Sequence, residues 1–108
     1  MAATSPSEPS HPWLTNQLDD LLATIVSLRD LEQTRRFFRD LCTPGELEAM
    51  AQRWEVVQLV DQGVSYLEIS KLTGASTATV TRVAQWLHHG DGGYLEALRK
   101  RKKRTSNA

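Results

Sequence analysis

Apolar residues recur every three or four positions over most of the chain, which is the spacing of amphipathic helices. From Trp13 to Val26 this spacing predicts a first helix near 13–28. A second helix is predicted near 31–41, where Asp30 can cap the first turn. No segment shows the strict alternation of a half-buried strand. The pattern therefore predicts an all-α protein.

The third predicted helix has the clearest start signal. Thr43 can cap it, Pro44 suits the first helical position, and Glu46 completes a capping box. We expect this helix to run to about Asp61 and to end at Gln62-Gly63. Its expected core stripe consists of Leu47, Met50, Trp54 and Val57, with Val60 or Leu59 as a further member.

Two shorter helices follow, joined by a glycine turn. Helix four is predicted from a cap at Ser65 to about Thr73. Gly74 can adopt the positive φ angle of a tight turn, and Ser76 can cap helix five, which is predicted to end near His88. This order of helix, tight turn and helix is typical of a DNA-binding helix-turn-helix.

Helix five is expected to present two different faces. One is an apolar stripe formed by Val80, Val83, Ala84 and Leu87. The other carries Thr77, Ala78, Thr81 and Gln85. Short side chains let a helix lie deep in the major groove, where methyl groups suit thymine and glutamine suits adenine. Lys71, on helix four, is placed to contact a phosphate.

One position departs from the usual pattern of such a unit. Thr73 is polar where these units usually have leucine, and we expect Leu72 to take over its packing role. The alternative to a DNA-reading unit is an ordinary helical hairpin with a polar outer face.

The chain beyond helix five is broken by glycines and then becomes basic. A last helix is predicted near Tyr94–Arg101, and it leads into a tail in which Arg99 and Lys100 begin six consecutive cations. We expect this tail to contact phosphates, the alternative being a solvated, frayed helix end. The predicted organisation is a disordered tail at 1–12, a single helical domain at 13–98 and a basic tail at 99–108.

Charge is distributed unevenly although the net charge is zero. Residues 1–68 contain 5 Lys/Arg and 11 Asp/Glu, whereas residues 69–108 contain 8 Lys/Arg and 2 Asp/Glu. The basic part carries the helix-turn-helix, which favours contact with DNA. The single cysteine, Cys42, and the lack of a signal-peptide core or an apolar run long enough for a membrane span lead us to expect a cytoplasmic protein.

The sequence gives little support for an enzyme or a metal protein. It has no glycine-rich phosphate loop and no Ser/His/Asp constellation, and adjacent histidines such as His88-His89 point apart on a helix. We therefore expect no catalytic residues, no metal and no cofactor. The alternative function is a helical dimerisation or protein-interaction module that does not read DNA.

Two segments, 42–53 and 74–82, resemble the Trp repressor family, and the resemblance extends over roughly residues 13–100. It is closer to a branch of repressor-like DNA-binding proteins than to the tryptophan-sensing repressor. The resemblance implies six helices in an intertwined homodimer with one helix-turn-helix in each subunit. Two such units would read half-sites about 34 Å apart on a near-palindromic operator.

The resemblance also implies a ligand pocket beside the reading helix. The two arginines that sandwich the ligand of the tryptophan-sensing member match Arg53 and Arg82, and the pocket threonine matches Thr79. A glycine and a serine of that pocket are replaced here by Val83 and Trp86. We expect Trp86 to fill the pocket and stack on an arginine, so that tryptophan is not needed. The alternative is that Trp86 packs on the dimer partner and the pocket accepts another ligand.

The sequence-based expectation is thus a cytoplasmic, homodimeric transcription regulator, with repression favoured over activation. The expected DNA-binding residues are Lys71, Ser76, Thr77, Ala78, Thr81, Gln85, Arg99 and Lys100. The expected partners are double-stranded DNA and a second copy of the chain, with the small-molecule effector left open.

Overall fold

The structure is a computed structural model that describes residues 12–106. Six α-helices form this part of the chain: α1 (Asn16–Val26), α2 (Leu31–Leu41), α3 (Pro44–Asp61), α4 (Tyr66–Thr73), α5 (Thr77–His89) and α6 (Gly93–Ser106). No strand occurs within residues 12–106, so the all-α prediction is confirmed for them. Apart from Pro12, the predicted N-terminal tail lies outside the described residues.

Side-chain caps determine where the helices begin. The predicted caps Asp30, Thr43, Ser65 and Ser76 each accept a hydrogen bond from the backbone N–H three residues further on. At the start of α3 the Glu46 carboxylate also accepts the Thr43 N–H at 2.8 Å, which completes the predicted capping box. These four predicted starts are therefore confirmed, because capping depends only on residues close in sequence.

The chain divides into two compact units, one ending at Cys42 and the other beginning at Thr43. In the first unit neither α1 nor α2 has a buried residue. Phe37 and Phe38 are half-buried and meet edge to face, with ring centroids 5.8 Å apart, whereas Val26 is 82% exposed. These two helices thus have apolar side chains that nothing within their own unit covers fully.

The second unit contains the hydrophobic core. The buried residues are Val56 and Val57 of α3, Ile69 of α4, Ala75 of the turn, Val80, Val83, Ala84 and Leu87 of α5, and Leu98 of α6. The predicted stripe of α5 is confirmed, since all four of its members are buried. The core therefore lies where α3, α4 and α5 meet, which holds the helix-turn-helix against the long helix.

The predicted stripe of α3 was partly wrong. Val56, which was not in the stripe, is fully buried beside Val57, whereas Met50 is 37% exposed. Apolar side chains lie on several sides of α3, so helical spacing alone left more than one stripe available. The packing of α4 and α5 selects the stripe that contains Val56 and Val57.

The last helix is longer than predicted. It ends at Ser106 rather than near Arg101, so the six cations at 99–104 are helical and do not form a tail. Lysine and arginine are good helix formers, and neither glycine nor proline interrupts this segment. None of the helices described between residues 12 and 106 has the length and apolar character needed to cross a membrane.

Candidate nucleic-acid interface

The turn between α4 and α5 is fixed by a local hydrogen-bond network. Gly74 has a φ of 81°, in the left-handed region, and its N–H donates to the Ser70 carbonyl at 2.9 Å. The Ser70 hydroxyl crosses the turn and donates to the Ala75 carbonyl at 2.6 Å. From α3, the Gln52 amide donates to the Thr73 carbonyl at 3.2 Å. The turn is therefore held from within and from the neighbouring helix.

The expectation that Leu72 takes over the packing of Thr73 was wrong. Leu72 is 59% exposed, while Thr73 is partly buried. The Thr73 hydroxyl donates to the Ile69 carbonyl at 2.8 Å and accepts the Ala75 N–H at 3.1 Å. Hydrogen bonds satisfy the polar residue at this position, so no leucine is needed to fill it.

The two faces of α5 differ in the way the sequence predicted. Its apolar stripe is buried against the core. Thr77, Ala78, Thr81 and Gln85 are all exposed. Lys71, in the last turn of α4, is exposed as well. The structure thus brings the predicted base-reading residues together on one solvent-facing surface, which we call the reading face (Thr77, Ala78, Thr81 and Gln85).

Ser76 has a structural role at the start of α5. Its hydroxyl accepts the Thr79 N–H at 3.1 Å and lies 3.1 Å from the Thr79 hydroxyl, to which it donates. The Ser76 side chain is therefore engaged as a cap. The cap fixes the first turn of α5, which carries Thr77 and Ala78 of the reading face.

A cavity of about 610 Å³ lies beside α5. All five predicted pocket residues line it, namely Arg53, Thr79, Arg82, Val83 and Trp86. Sequence reasoning missed the other three lining residues, Asp91, Gly93 and Tyr94. They come from the segment that follows α5 and from the start of α6, which fold back beside α3, where the Trp54 and Tyr94 ring centroids are 6.4 Å apart. No local sequence pattern predicts that the chain folds back beside α3 after α5.

The prediction that Trp86 fills this cavity does not hold in the single chain. Trp86 is 59% exposed, which is incompatible with a ring enclosed in a pocket. Trp86 lines the cavity, but its six-membered ring lies near the end of α5. A Cβ built on Gly90 would meet the Trp86 carbonyl oxygen and would lie 2.9 Å from Cε3 of the ring. The glycine that ends α5 provides room for the indole, and the cavity stays open.

The cavity has a mixed chemical character. Arg53 and Arg82 supply two guanidinium groups, Asp91 supplies a carboxylate, and Trp86 and Tyr94 supply aromatic surface. Its size falls within the range of about 300–1,000 Å³ that is usual for small-molecule sites. Among residues 12–106, no group of three or more His, Cys, Asp or Glu side chains is arranged to hold a metal ion.

The fold and the site define a helical protein with a helix-turn-helix beside an open cavity. The family model described as Trp repressor protein matches residues 16–102. The chain therefore belongs to the Trp repressor family, whose members are non-enzymatic regulators.

Relatives of known sequence and structure agree with this assignment. The chain is 48% identical over 82 residues to uncharacterized protein YerC of Bacillus subtilis (strain 168), covering 76% of this chain and 79% of the relative. A TrpR-like protein from Eubacterium eligens superposes with a TM-score of 0.75 at 38% identity, over 80% of this chain and 89% of the other. A candidate Trp repressor from Staphylococcus aureus has a TM-score of 0.77 at 36% identity, over 82% and 89% of the two chains.

Proposed function

We propose that this protein is a cytoplasmic, homodimeric regulator that binds a near-palindromic DNA operator and acts as a repressor. The observation that carries the proposal is the division of α5. Its apolar side is buried in the core, while the reading face consists of short side chains exposed to solvent. A helix of this kind, presented by a rigid turn, can enter a major groove without steric hindrance from long side chains.

The residues of the helix-turn-helix have different proposed roles. Thr77, Ala78 and Thr81 contact base edges, with Gln85 as a further reader. Lys71 contacts a phosphate and thereby sets the position of the unit on the duplex without reading sequence. Family membership supports DNA and a second subunit as partners.

The homodimer is supported by the helices of the first unit. Neither α1 nor α2 buries a residue, although Leu31 is 63% and Val26 82% exposed. Isolated helices of this length are only marginally stable in water, so their apolar sides need a partner surface. A second copy of the chain provides such a surface and also supplies the second reading helix that a palindromic site requires.

Operator binding is proposed to be independent of tryptophan. Val83 and Trp86 line the cavity at the two positions where the tryptophan-sensing member has smaller residues. The cavity is open in the single chain and is lined by two arginines and by Asp91, so we propose that it accepts a small-molecule effector other than tryptophan. Calorimetric titration with tryptophan checks this point, and operator binding that requires tryptophan would refute it.

Selection of binding sites from random duplex DNA, with and without added amino acids, tests the central proposal. We expect enrichment of a near-palindromic sequence. Thr81→Ala should relax the preference at one position of each half-site by about 1–3 kcal/mol. Gln62→Ala, at an exposed site at the end of α3 and outside the helix-turn-helix, serves as the control and should leave the preference intact.

The alternative is a dimerisation or protein-interaction module. It predicts no binding to duplex DNA even at low salt, and no enriched sequence. Either outcome for the wild-type protein would overturn the proposal and favour the module.

A further inference from the structure

The six consecutive cations at 99–104 do not all have the same surroundings on α6. Tyr94, Leu98 and Arg101 follow each other at helical spacing, with Leu98 only 5% exposed and the other two half-buried. This is the side of α6 that packs on the rest of the unit. Arg101 therefore lies on the inner side of the helix.

Lys102 is tied to another helix. Its ammonium nitrogen lies 2.9 Å from Oδ2 of Asp61, the last residue of α3. Asp61 has a side chain that is only 25% exposed, so the pair links α6 to the end of α3 at the border of the packed side. This ion pair balances the charge of Lys102, whose side chain is 67% exposed, at the surface of the protein.

The other four cations share the opposite side of the helix. Arg99, Lys100, Lys103 and Arg104 are all exposed, and they form two pairs with a spacing of four residues. At about 100° per residue they cover roughly 140° of the helix surface. We call this surface the outer basic face.

We propose that the outer basic face is a second, sequence-independent DNA contact that binds backbone phosphates, whereas Lys102, which is paired with Asp61, does not contact DNA. The proposal rests on the proposed function, since it assumes that the protein binds duplex DNA. In this proposal DNA is bound by a helical surface of the protein and not by a flexible basic tail.

Spacing and charge both favour a phosphate backbone as the partner. Residues four apart on a helix are separated by about 6 Å along the helix axis. Phosphates of one DNA strand follow each other at about 3.4 Å along the duplex axis, so this separation is close to the rise over two nucleotides. Like charges at this spacing repel each other and weaken a helix. A polyanion bound along the face removes that repulsion from both pairs at once.

Salt dependence of binding to a random-sequence duplex tests the proposal on the full-length protein. Each phosphate contact contributes about 0.9 to the slope of log K against log salt. Lys100→Gln should therefore lower the slope by about 0.9 for each subunit that contacts the DNA. Lys102→Gln removes the same charge from the same run and should leave the slope unchanged.

A triple variant enlarges the effect. Arg99→Gln/Lys100→Gln/Arg104→Gln should lower the slope by about 2.7 for each engaged subunit, which amounts to about 40-fold in affinity change between 50 and 200 mM salt. The charge-matched control replaces three exposed arginines of the first unit, Arg29→Gln/Arg35→Gln/Arg39→Gln. It should retain the wild-type slope, and circular dichroism and size-exclusion chromatography confirm that each variant keeps its helices and its oligomeric state.

The outcomes separate this proposal from the proposed function. If the wild type binds DNA but Lys100→Gln and Lys102→Gln lower the slope equally, the outer basic face is not a specific contact and the inference fails while DNA binding stands. Equal effects of the two triple variants have the same meaning, because net charge alone would then explain them. If the wild type binds no duplex at low salt, both proposals fail.

Discussion

If α5 binds DNA as proposed, Ser76 connects the stability of this helix to DNA affinity. Replacing it in the variant Ser76→Ala removes the acceptor of the Thr79 N–H and the donor to the Thr79 hydroxyl, both at 3.1 Å. Loss of a serine N-cap costs about 1 kcal/mol, within a range of about 0.5–2 kcal/mol. Because the lost bonds hold the first turn of α5, that turn should fray more often.

The matched control is Ser65→Ala, which removes the cap of α4. The Ser65 hydroxyl accepts the Glu68 N–H at 3.2 Å, so its loss should cost about the same as that of Ser76 in folding stability. In urea unfolding followed by circular dichroism, each variant should shift the midpoint downward by about 0.5 M for an m-value of about 2 kcal/mol per M. Equal protein concentrations are needed, since the stability of a dimer depends on concentration.

DNA affinity should distinguish the two caps. Fraying of the first turn displaces Thr77 and Ala78, so Ser76→Ala should weaken operator binding by up to about fivefold, the equivalent of about 1 kcal/mol. Ser65→Ala should weaken it much less, since α4 carries none of the reading face. Fluorescence anisotropy with a labelled operator measures both. Equal losses of DNA affinity in the two variants, or an unchanged urea midpoint in Ser76→Ala, would refute the reasoning.

Three further predictions concern packing, the turn and the cavity. Ile69→Ala, at a fully buried site, should lower the free energy of unfolding by about 2–5 kcal/mol. Leu72→Ala, at a 59% exposed site on the same helix, should change it by less than about 0.5 kcal/mol. Urea unfolding measures both free energies, and equal costs would show that Leu72 is packed in the protein. Gly74→Ala, at a φ of 81°, should cost about 1–2 kcal/mol in the same assay, and a neutral result would mean that the turn takes another conformation. Gly90→Ala would place a Cβ against the Trp86 carbonyl oxygen and 2.9 Å from Cε3 of its ring, so both the end of α5 and the indole must shift. The near-ultraviolet circular dichroism of tryptophan should therefore change, and an unchanged spectrum would show that the ring lies elsewhere.

The parts of the fold that depend on nearby residues could be predicted from the sequence. Asp30, Thr43, Ser65 and Ser76 each mark a helix start because a capping side chain bonds to its own neighbours. The buried stripe of α5 followed from helical spacing, since polar residues bound it on both sides. These features need no knowledge of the tertiary structure.

The remaining features depend on contacts between distant segments. Val56 is buried because α4 and α5 select one of several apolar stripes on α3, and that selection is a property of packing. Asp91 and Tyr94 reach the cavity only because the chain turns back after α5. The Trp86 ring lies close to Gly90, which is four residues further along the chain. The size of the tryptophan side chain alone could not show whether its ring lies there or inside the cavity.

The lack of buried residues in α1 and α2 has a consequence for the behaviour of the protein in the cell. If a second copy of the chain covers these helices, their order follows mass action. The amount of protein then acts twice, because it sets both the fraction of chains that are fully assembled and the occupancy of the operator by those chains. A modest rise in synthesis would produce a steeper rise in DNA occupancy than a regulator with a self-sufficient monomer would show.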